Sequence, residues 1–244
     1  MTLRVSRVFA VQLSVLRAFI SRFRSLPLEL DPATAYDLWA AAYPAQAHNP
    51  LTRAEEAAML ELLPDVRGLR ALDLACGSGR YARHLKDRGA ARVVGLDLSA
   101  AMLARARDVH GVLARATMIS LPLPSNTFDL ITCGLAVGHL SDLNPVLREM
   151  ARVLKPGGAV VYSDFHPFGH LAGWKRGFRA NGRQYSVRHY PHLYAEHHAA
   201  CLSVGLTIDA VREPCAVDES GRRAWGDIPV ALIIRAVKET SHAN

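Results

Sequence analysis

A glycine turn between an apolar run and a helix-like stretch carries the residues best suited to chemistry. Residues 72–85 read LDLACGSGRYARHL. Gly77 and Gly79, completed by Ala82, satisfy the dinucleotide fingerprint, and Asp97 in VVGLDLS stands where a ribose-binding carboxylate is expected. Two glycines in so short a turn indicate that the backbone approaches a ligand closely. By itself the turn fits a dinucleotide as well as it fits another nucleoside.

The carboxylate of Asp73 helps to choose between these ligands. Asp73 lies four residues before Gly77, inside an otherwise apolar run. A carboxylate there is a poor neighbour for a pyrophosphate, but it suits a ligand that carries an ammonium and a sulfonium. S-adenosylmethionine (SAM) has both cations and no phosphate, so Asp73 favours SAM over a dinucleotide.

An alternation of strand-like and helix-like stretches must position this turn. Short apolar runs at 69–76, 91–98, 128–137 and 158–165 enclose helical patterns at 80–89, 100–110 and 144–154. This order predicts an α/β fold with a Rossmann-like, doubly wound, mostly parallel sheet and helices on both faces. Ligands of such sheets bind at the carboxyl ends of the strands. Within RVLKPGG at 152–158, we expect a helix end, a Pro-Gly-Gly turn and then the fifth strand.

Further elements flank this alternation on both sides. Alanine-rich helical patterns at 33–43 and 51–64 precede it, and a helix ending at Gly205 and strands at 206–214 and 227–238 follow. Residues 166–193 are rich in His, Gly and aromatic side chains, and their Asn181-Gly182 pair predicts a tight hairpin turn. We therefore expect one domain at 31–244, with a cap insertion at about 166–193 that covers the strand ends.

Four stretches, taken in order, resemble successive motifs of class I SAM-dependent methyltransferases: LDLACGSGRYARHL, VVGLDLS, LPLPSNTFDLI and REMARVLKPGGAVVYSDFHP. The resemblance spans about 36–238 and is strongest to the small-molecule branch, which includes menaquinone, ubiquinone and malonyl-acyl-carrier-protein methyltransferases. It implies a seven-stranded sheet with N-terminal helices and a small cap after strand five. It also implies SAM as cofactor and methyl transfer to a small molecule. Transfer from a sulfonium is an in-line displacement, and the aromatic residues of the cap predict a partly apolar acceptor.

The same resemblance implies a set of cofactor contacts. These are Tyr43, Asp73, Ala75, Cys76, Gly77, Gly79, Asp97, Leu98, Met102, Thr117 and Met118. Asp97 would accept hydrogen bonds from both ribose hydroxyls, and Asp73 would lie close to the amino group of the methionine part. Thr117 departs from the family, which often carries there an acid that binds the adenine amino group, although a threonine still accepts a hydrogen bond.

Three residues beyond strand ends are candidate proton acceptors. His139 follows the fourth strand, and Asp164 and His166 end the fifth. A base is needed only if the methyl-accepting atom carries a proton that must leave. A backbone-bonded histidine at a helix start and a solvated surface histidine are the alternatives for His139 and His166. His166 and His170 have helical spacing, but Pro167 argues against a helix there, and we expect no metal.

Charge and cysteine content limit the partners. The net charge is +7, yet residues 1–28 supply five arginines and no acid, so the rest of the chain carries about +2 and predicts no nucleic-acid partner. For the basic apolar segment 1–30 we expect a frayed or surface-packed helix, with a targeting peptide or a membrane-surface helix as alternatives. Four cysteines without a CxxC pair predict a reducing, cytoplasmic location.

Two other functions remain open at this stage. A NAD(P)-dependent oxidoreductase shares the glycine turn, and a non-catalytic SAM-binding protein would share the whole cofactor site. The identity of the acceptor, the choice among O-, N- and C-methylation and the oligomeric state have no signature in the sequence.

Overall fold

The computed structural model describes residues 27–109 and 111–240. Most of the predicted N-terminal segment 1–30 therefore lies outside the described residues. The strands are β1 (Leu28–Leu30), β2 (Arg70–Leu74), β3 (Arg92–Asp97), β4 (Val112–Arg115), β5 (Phe128–Cys133), β6 (Leu154–Phe165), β7 (Gly177–Ala180), β8 (Arg183–Val187), β9 (Leu206–Arg212), β10 (Ala224–Asp227) and β11 (Ala231–Lys238). The helices are α1 (Pro32–Trp39), α2 (Pro50–Leu62), α3 (Arg80–Asp87), α4 (Ala100–Arg105), α5 (Asn144–Val153), α6 (Pro167–Leu171) and α7 (Tyr194–Leu202), with single 3-10 turns at Ala40–Ala42 and Val137–His139.

Seven strands form the main sheet in the order β4-β3-β2-β5-β6-β11-β9. The first five are parallel, and β11 pairs antiparallel with both β6 and β9. The chain runs outward from β2 through β3 to β4 and then crosses to β5, so the strand order reverses between β2 and β5. Ligands of doubly wound sheets bind at this position, and the predicted glycine turn follows β2 there.

Both faces of the sheet are buried, as the apolar strand sequences predict. One face packs Leu72, Leu147 and Ile234 into a cluster beneath α5 and α7, and the other packs Met59 and Leu85 from α2 and α3. The Rossmann-like architecture is thereby confirmed. Among the described residues, no helix is both long enough and apolar enough to cross a membrane.

A second, three-stranded sheet of order β1-β8-β7 lies within the region where a cap was expected. Asn181 and Gly182 connect β7 to β8 with φ values of 49° and 72°, which confirms the predicted tight hairpin turn. β1 pairs in parallel with β8, so the end of the predicted N-terminal segment contributes one strand to this sheet.

Four local predictions were wrong. A short helix, α6, forms at Pro167–Leu171 although Pro167 was expected to prevent one, because proline is tolerated at the first position of a helix. The predicted helix at 100–110 ends at Arg105, and β4 follows as a short edge strand whose Ala and Arg content gives little β signal. The strand predicted at 128–137 ends at Cys133, because the chain turns sharply at Leu135, whose φ is 52°. The Pro-Gly-Gly segment lies within β6, which already begins at Leu154, and not in a turn before it. The segment falls where the pairing of β6 with β5 shifts register, between Leu154 and Ala159.

Candidate active site

The first cavity opens at the carboxyl ends of β2, β3 and β5 and has a volume of about 230 Å³. Nine of the residues predicted from the sequence line it: Tyr43, Ala75, Gly77, Asp97, Leu98, Met102, Thr117, Met118 and His139. The structure thus brings together residues from Tyr43, just after the 3-10 turn that follows α1, to His139 in the 3-10 turn after β5, which are 96 positions apart. Five other predicted residues do not line this cavity: Asp73, Cys76, Gly79, Asp164 and His166.

The glycine turn forms one wall of the first cavity. Ala75, Gly77 and Gly79 all have positive φ, at 53°, 54° and 84°, and this backbone geometry explains the need for glycine at two of the three positions. A Cβ on Gly77 would lie 3.2 Å from the Cε methyl of Met102. A side chain at residue 77 would therefore narrow the cavity as well as strain the turn.

Asp97 ends β3 with its carboxylate held in one orientation. Its Oδ2 accepts a hydrogen bond from the backbone N–H of Gly77 at 2.8 Å, and its Oδ1 accepts one from Ser99 at 2.8 Å. Burial raises the pKa of Asp97, while these backbone donors oppose the rise. Each carboxylate oxygen keeps a further lone pair, so the side chain can also accept hydrogen bonds from a ligand in the cavity.

Asp73 holds the turn from behind. The side chain is 1% exposed; its Oδ2 accepts from the backbone N–H of Ala82 at 3.1 Å, and its Oδ1 accepts from the Thr132 hydroxyl at 3.2 Å. These contacts tie β2 to the first turn of α3 and to β5. Cys76 is also buried, and its N–H donates to the carbonyl of Leu96 at 2.9 Å. Both residues thus shape the cavity wall without lining it.

His139 lines the first cavity and contacts Tyr36. The Nδ1 of His139 is 2.9 Å from the carbonyl of Arg188, so Nδ1 carries the proton and Nε2 accepts from the Tyr36 hydroxyl at 3.0 Å. Burial and the charge of nearby Arg176 lower the pKa of His139 to about 3. The ring is therefore neutral at physiological pH and is a weak proton acceptor.

A second cavity of about 430 Å³ adjoins the first and is bounded by the cap. Its walls include Phe165, Trp174 and Trp225 together with His166 and His189. Arg176 lines both cavities and so stands at the boundary between them. Cofactor and acceptor in a two-substrate reaction need such adjacent spaces.

An Asp–His pair lies at the same boundary. The Nε2 of His189 is 3.0 Å from Oδ1 of Asp164, whose side chain is 1% exposed. A Cβ on Gly138 would lie 2.2 Å from the His189 Nε2 and 2.3 Å from the Asp164 Oδ1, so only glycine permits this contact. With its Nε2–H donated to Asp164, a neutral His189 has its lone pair on Nδ1, and no hydrogen bond from the described residues occupies that atom.

His166, the third predicted proton acceptor, caps α6. Its Nδ1 accepts from the N–H of Phe168 at 3.3 Å, and its Nε2 is 3.1 Å from the Glu213 carboxylate. The ring lines the second cavity but has both nitrogens engaged. Asp164 lines neither cavity and contacts the second one only through its hydrogen bond with His189.

Sequence reasoning missed the parts of Tyr36, Arg176 and His189. Tyr36 belongs to an aromatic stripe at helical spacing, which is typical of a packing face. His189 lies in the stretch 166–193, which is rich in His and aromatic residues, and nothing in the sequence pairs it with Asp164, 25 positions away. Arg176 belongs to no sequence motif. Its neighbours come from α1, from the turns after α1 and β5, and from β6. Only the tertiary fold brings these three side chains to one place.

Comparisons with known proteins agree with this architecture. The family described as "Methyltransferase domain" matches residues 72–162, which run from β2 into β6. Malonyl-(acyl-carrier protein) O-methyltransferase of Enterobacter lignolyticus is 38% identical over 120 residues, or 48% of this chain and 47% of the relative. Demethylmenaquinone methyltransferase of Listeria welshimeri is 36% identical over 132 residues, or 50% of this chain and 55% of the relative. The chain spans about half the length of these two curated relatives.

A solved structure extends the similarity over a whole protein. The S-adenosylmethionine-dependent methyltransferase from Mesorhizobium loti is 30% identical, with a TM-score of 0.65. The match covers 76% of this chain and 98% of that protein. With the seven-stranded sheet and the glycine turn at its switch point, this match shows that the chain belongs to the SAM-dependent methyltransferase family.

Proposed function

We propose that this chain transfers a methyl group from SAM to a small, partly apolar acceptor. The observation that carries the proposal is the shape and chemistry of the first cavity. It is a nucleoside-sized space with a fixed carboxylate, Asp97, and an apolar floor that includes Leu98 and Met102. Among the described residues its lining contains no lysine, and its one arginine, Arg176, lies at the boundary with the second cavity. Such a lining suits a nucleoside without phosphates.

In this proposal, different lining residues contact different parts of the cofactor. Asp97 accepts hydrogen bonds from the ribose hydroxyls with the lone pairs that Gly77 and Ser99 leave free. Leu98 and Met102 pack against adenine, while Met118 and Thr117 close its edge. Tyr43, Ala75 and Gly77 line the cavity and contact the methionine part in this proposal. Asp73, Cys76 and Gly79, which were predicted as contacts too, lie outside that lining and act there by shaping the turn.

The cofactor supplies an electrophilic methyl group on a sulfonium, so that a lone pair of the acceptor forms the new bond as the carbon–sulfur bond breaks and sulfur leaves as a neutral thioether. The protein has to align the acceptor and exclude water. Residues 31–244 act as the methyltransferase domain, and the cap at about 166–193 covers the second cavity, where the acceptor binds. Phe165, Trp174 and Trp225 give that cavity its apolar surface.

A proton leaves with the reaction when the accepting atom is protonated, and His189 is the best-placed acceptor for it. Asp164 fixes the tautomer by accepting the Nε2–H, which leaves the Nδ1 lone pair as the basic site. His139 and His166 were also predicted as bases, but the Tyr36 hydroxyl and the Glu213 carboxylate already occupy their nitrogens. Asp164 acts through His189 and so serves as a positioning residue.

Methyl transfer with trideuteromethyl-SAM tests the proposal. The purified chain is incubated with the labelled cofactor and a small-molecule extract, and mass spectrometry identifies products that carry the trideuterated methyl group. We expect labelled products of low mass that are absent when the cofactor or the chain is omitted. Label found only on protein or nucleic acid would contradict a small acceptor, and label found nowhere would favour a non-catalytic binding protein.

A further inference from the structure

Among the described residues, Arg176 has no carboxylate partner. Its Nη1 donates to the carbonyl of Leu135 at 3.0 Å and its Nη2 donates to the Tyr43 hydroxyl at 3.2 Å. The guanidinium carbon also lies 5.3 Å from the ring centroid of Phe165 and 5.4 Å from that of Tyr36. Within residues 27–109 and 111–240, no ion pair joins this guanidinium to an acid. These two hydrogen bonds use two of the five N–H donors of the side chain.

An arginine in this position is costly unless an anion joins it. Arg176 is half-buried. Aromatic faces and neutral acceptors stabilise its guanidinium only in part, and a charge partly removed from water favours a partner of opposite sign. Its planar fork matches a carboxylate through two parallel hydrogen bonds. The remaining donors of Arg176, at a wall shared by two cavities, are therefore suited to an anionic group of a ligand.

The second cavity has the charge balance that such a ligand requires. Lys175 and Arg176 line it together with three histidines, whereas its one acid among the described residues, Glu29, lies 3.5 Å from the Nε of Arg188. By contrast, the first cavity is lined by two acids, Asp31 and Asp97. The cationic excess thus lies on the side where the acceptor binds.

We infer that the acceptor carries a carboxylate or a similar oxyanion that pairs with Arg176, and an aromatic or otherwise apolar body that packs against Trp174 and Trp225. This inference rests on the proposed function, because it takes the second cavity as the acceptor site. Trp174 and Trp225 have ring centroids 5.1 Å apart and form an aromatic wall of that cavity. A cavity of 430 Å³ accommodates an aromatic acid of modest size.

The methionine part of the cofactor also carries a carboxylate, and the experiment has to separate the two sources. Benzoate and phenylacetate are titrated into the full chain, with their neutral amides as matched ligands, both with and without S-adenosylhomocysteine. The variants are R176M and R176K. R179M serves as the control, since Arg179 is an exposed residue of β7 that lines neither cavity. S-adenosylhomocysteine and 5′-methylthioadenosine, which lacks the amino-acid part, are titrated into each protein.

We expect the acids to bind the unmodified chain and R179M at least tenfold more tightly than the amides. R176M should abolish this preference and R176K should retain part of it, while all proteins bind S-adenosylhomocysteine within threefold of one another. Equal binding of acids and amides by the unmodified chain overturns the inference without any variant. A tenfold loss of S-adenosylhomocysteine affinity in R176M or R176K, with 5′-methylthioadenosine unaffected, also overturns it and assigns Arg176 to the cofactor.

This design separates the inference from the proposed function. The preference for acids over amides is measured without cofactor as well as with it. If the unmodified chain failed to bind S-adenosylhomocysteine, the proposed function would be wrong, whereas the anion site would stand or fall on the acid–amide comparison. Thermal melts of R176M and R176K identify a folding defect, and R176K supplies the comparison if R176M does not fold.

Discussion

The two cavities are built from different kinds of contact. The first is formed by backbone turns at the ends of β2 and β3, where Asp97 and Gly77 bond to each other and lie only 20 positions apart. The second is bounded mostly by side chains of the cap, where His189 meets Asp164. Arg176, which lines both cavities, meets Tyr43 of the first cavity, 133 positions away. In our proposal, local backbone geometry thus creates the cofactor site, while the folded cap creates the site that selects the acceptor.

Replacement of His189 by Gln should have the largest effect and would act on the second cavity alone. Glutamine can donate to Asp164 from its amide but has no basic nitrogen. For an acceptor that must lose a proton, kcat should fall about 1,000-fold, within the usual range for loss of a general base. Turnover of the variant and of the unmodified chain is measured at saturating cofactor and acceptor.

G138A provides a matched test of the same pair, since the added Cβ would separate His189 from Asp164 without removing either group. Both variants should bind S-adenosylhomocysteine like the unmodified chain. A fall of less than tenfold in kcat for H189Q would remove His189 from the mechanism and return attention to His139 or His166.

Replacement of Asp97 by Ala should act on the first cavity alone. The change removes a charged acceptor from the Gly77 and Ser99 amides and, in our proposal, from the ribose. We expect S-adenosylhomocysteine to bind about 100-fold more weakly, or about 3 kcal/mol, in line with the loss of hydrogen bonds to a charged group. Calorimetric titration measures this change, and an unaltered affinity would mean that Asp97 only shapes the turn.

His197, on α7 behind the second cavity, should make stability depend on pH. It is fully buried, its Nδ1 lies 3.2 Å from the Tyr162 hydroxyl, and burial lowers its pKa to about 4. Below pH 6.5 the unfolded chain binds a proton that the folded chain does not, so the free energy of unfolding falls as the pH falls toward 4. The neighbouring charge of Asp164 opposes this shift and that of His192 supports it.

Between pH 6.5 and pH 5, His197 should therefore account for a loss of about 2 kcal/mol. Urea unfolding at both pH values measures the loss in the unmodified chain and in H197Q. The variant should lose correspondingly less, although His139, with its low pKa, adds a dependence of the same sign in both proteins. The same loss in both proteins would mean that His197 does not contribute.

Replacement of Tyr36 by Phe should have the smallest effect. Tyr36 lines the first cavity. The change removes one neutral hydrogen bond to His139 and leaves the ring in place. We expect kcat/KM to fall less than tenfold, or by about 1 kcal/mol, as for a single hydrogen bond of this type. A fall of 100-fold or more in steady-state assays would place the Tyr36 hydroxyl against the reacting atoms.

The same contrast explains what the sequence could and could not predict. The positions of Gly77, Gly79 and Asp97 could be predicted because their spacing along the chain is short and because glycine is the residue that a turn with positive φ requires. The hairpin at Asn181-Gly182 is readable for the same reason. Arg176 and His189 are not, because their partners are set by how the cap folds onto the sheet, and no short-range pattern encodes that. The edge strand β4 was not predicted, because its Ala and Arg residues, which are partly exposed, resemble the end of the preceding helix.

In our proposal, the first cavity binds a phosphate-free adenine nucleoside that carries a methionine part. Isothermal titration of the unmodified chain with S-adenosylhomocysteine, and separately with NADH, tests it most directly. We expect saturable binding of one S-adenosylhomocysteine per chain and no binding of NADH. Saturable binding of NADH without detectable binding of S-adenosylhomocysteine would contradict it and would return the glycine turn to the dinucleotide reading.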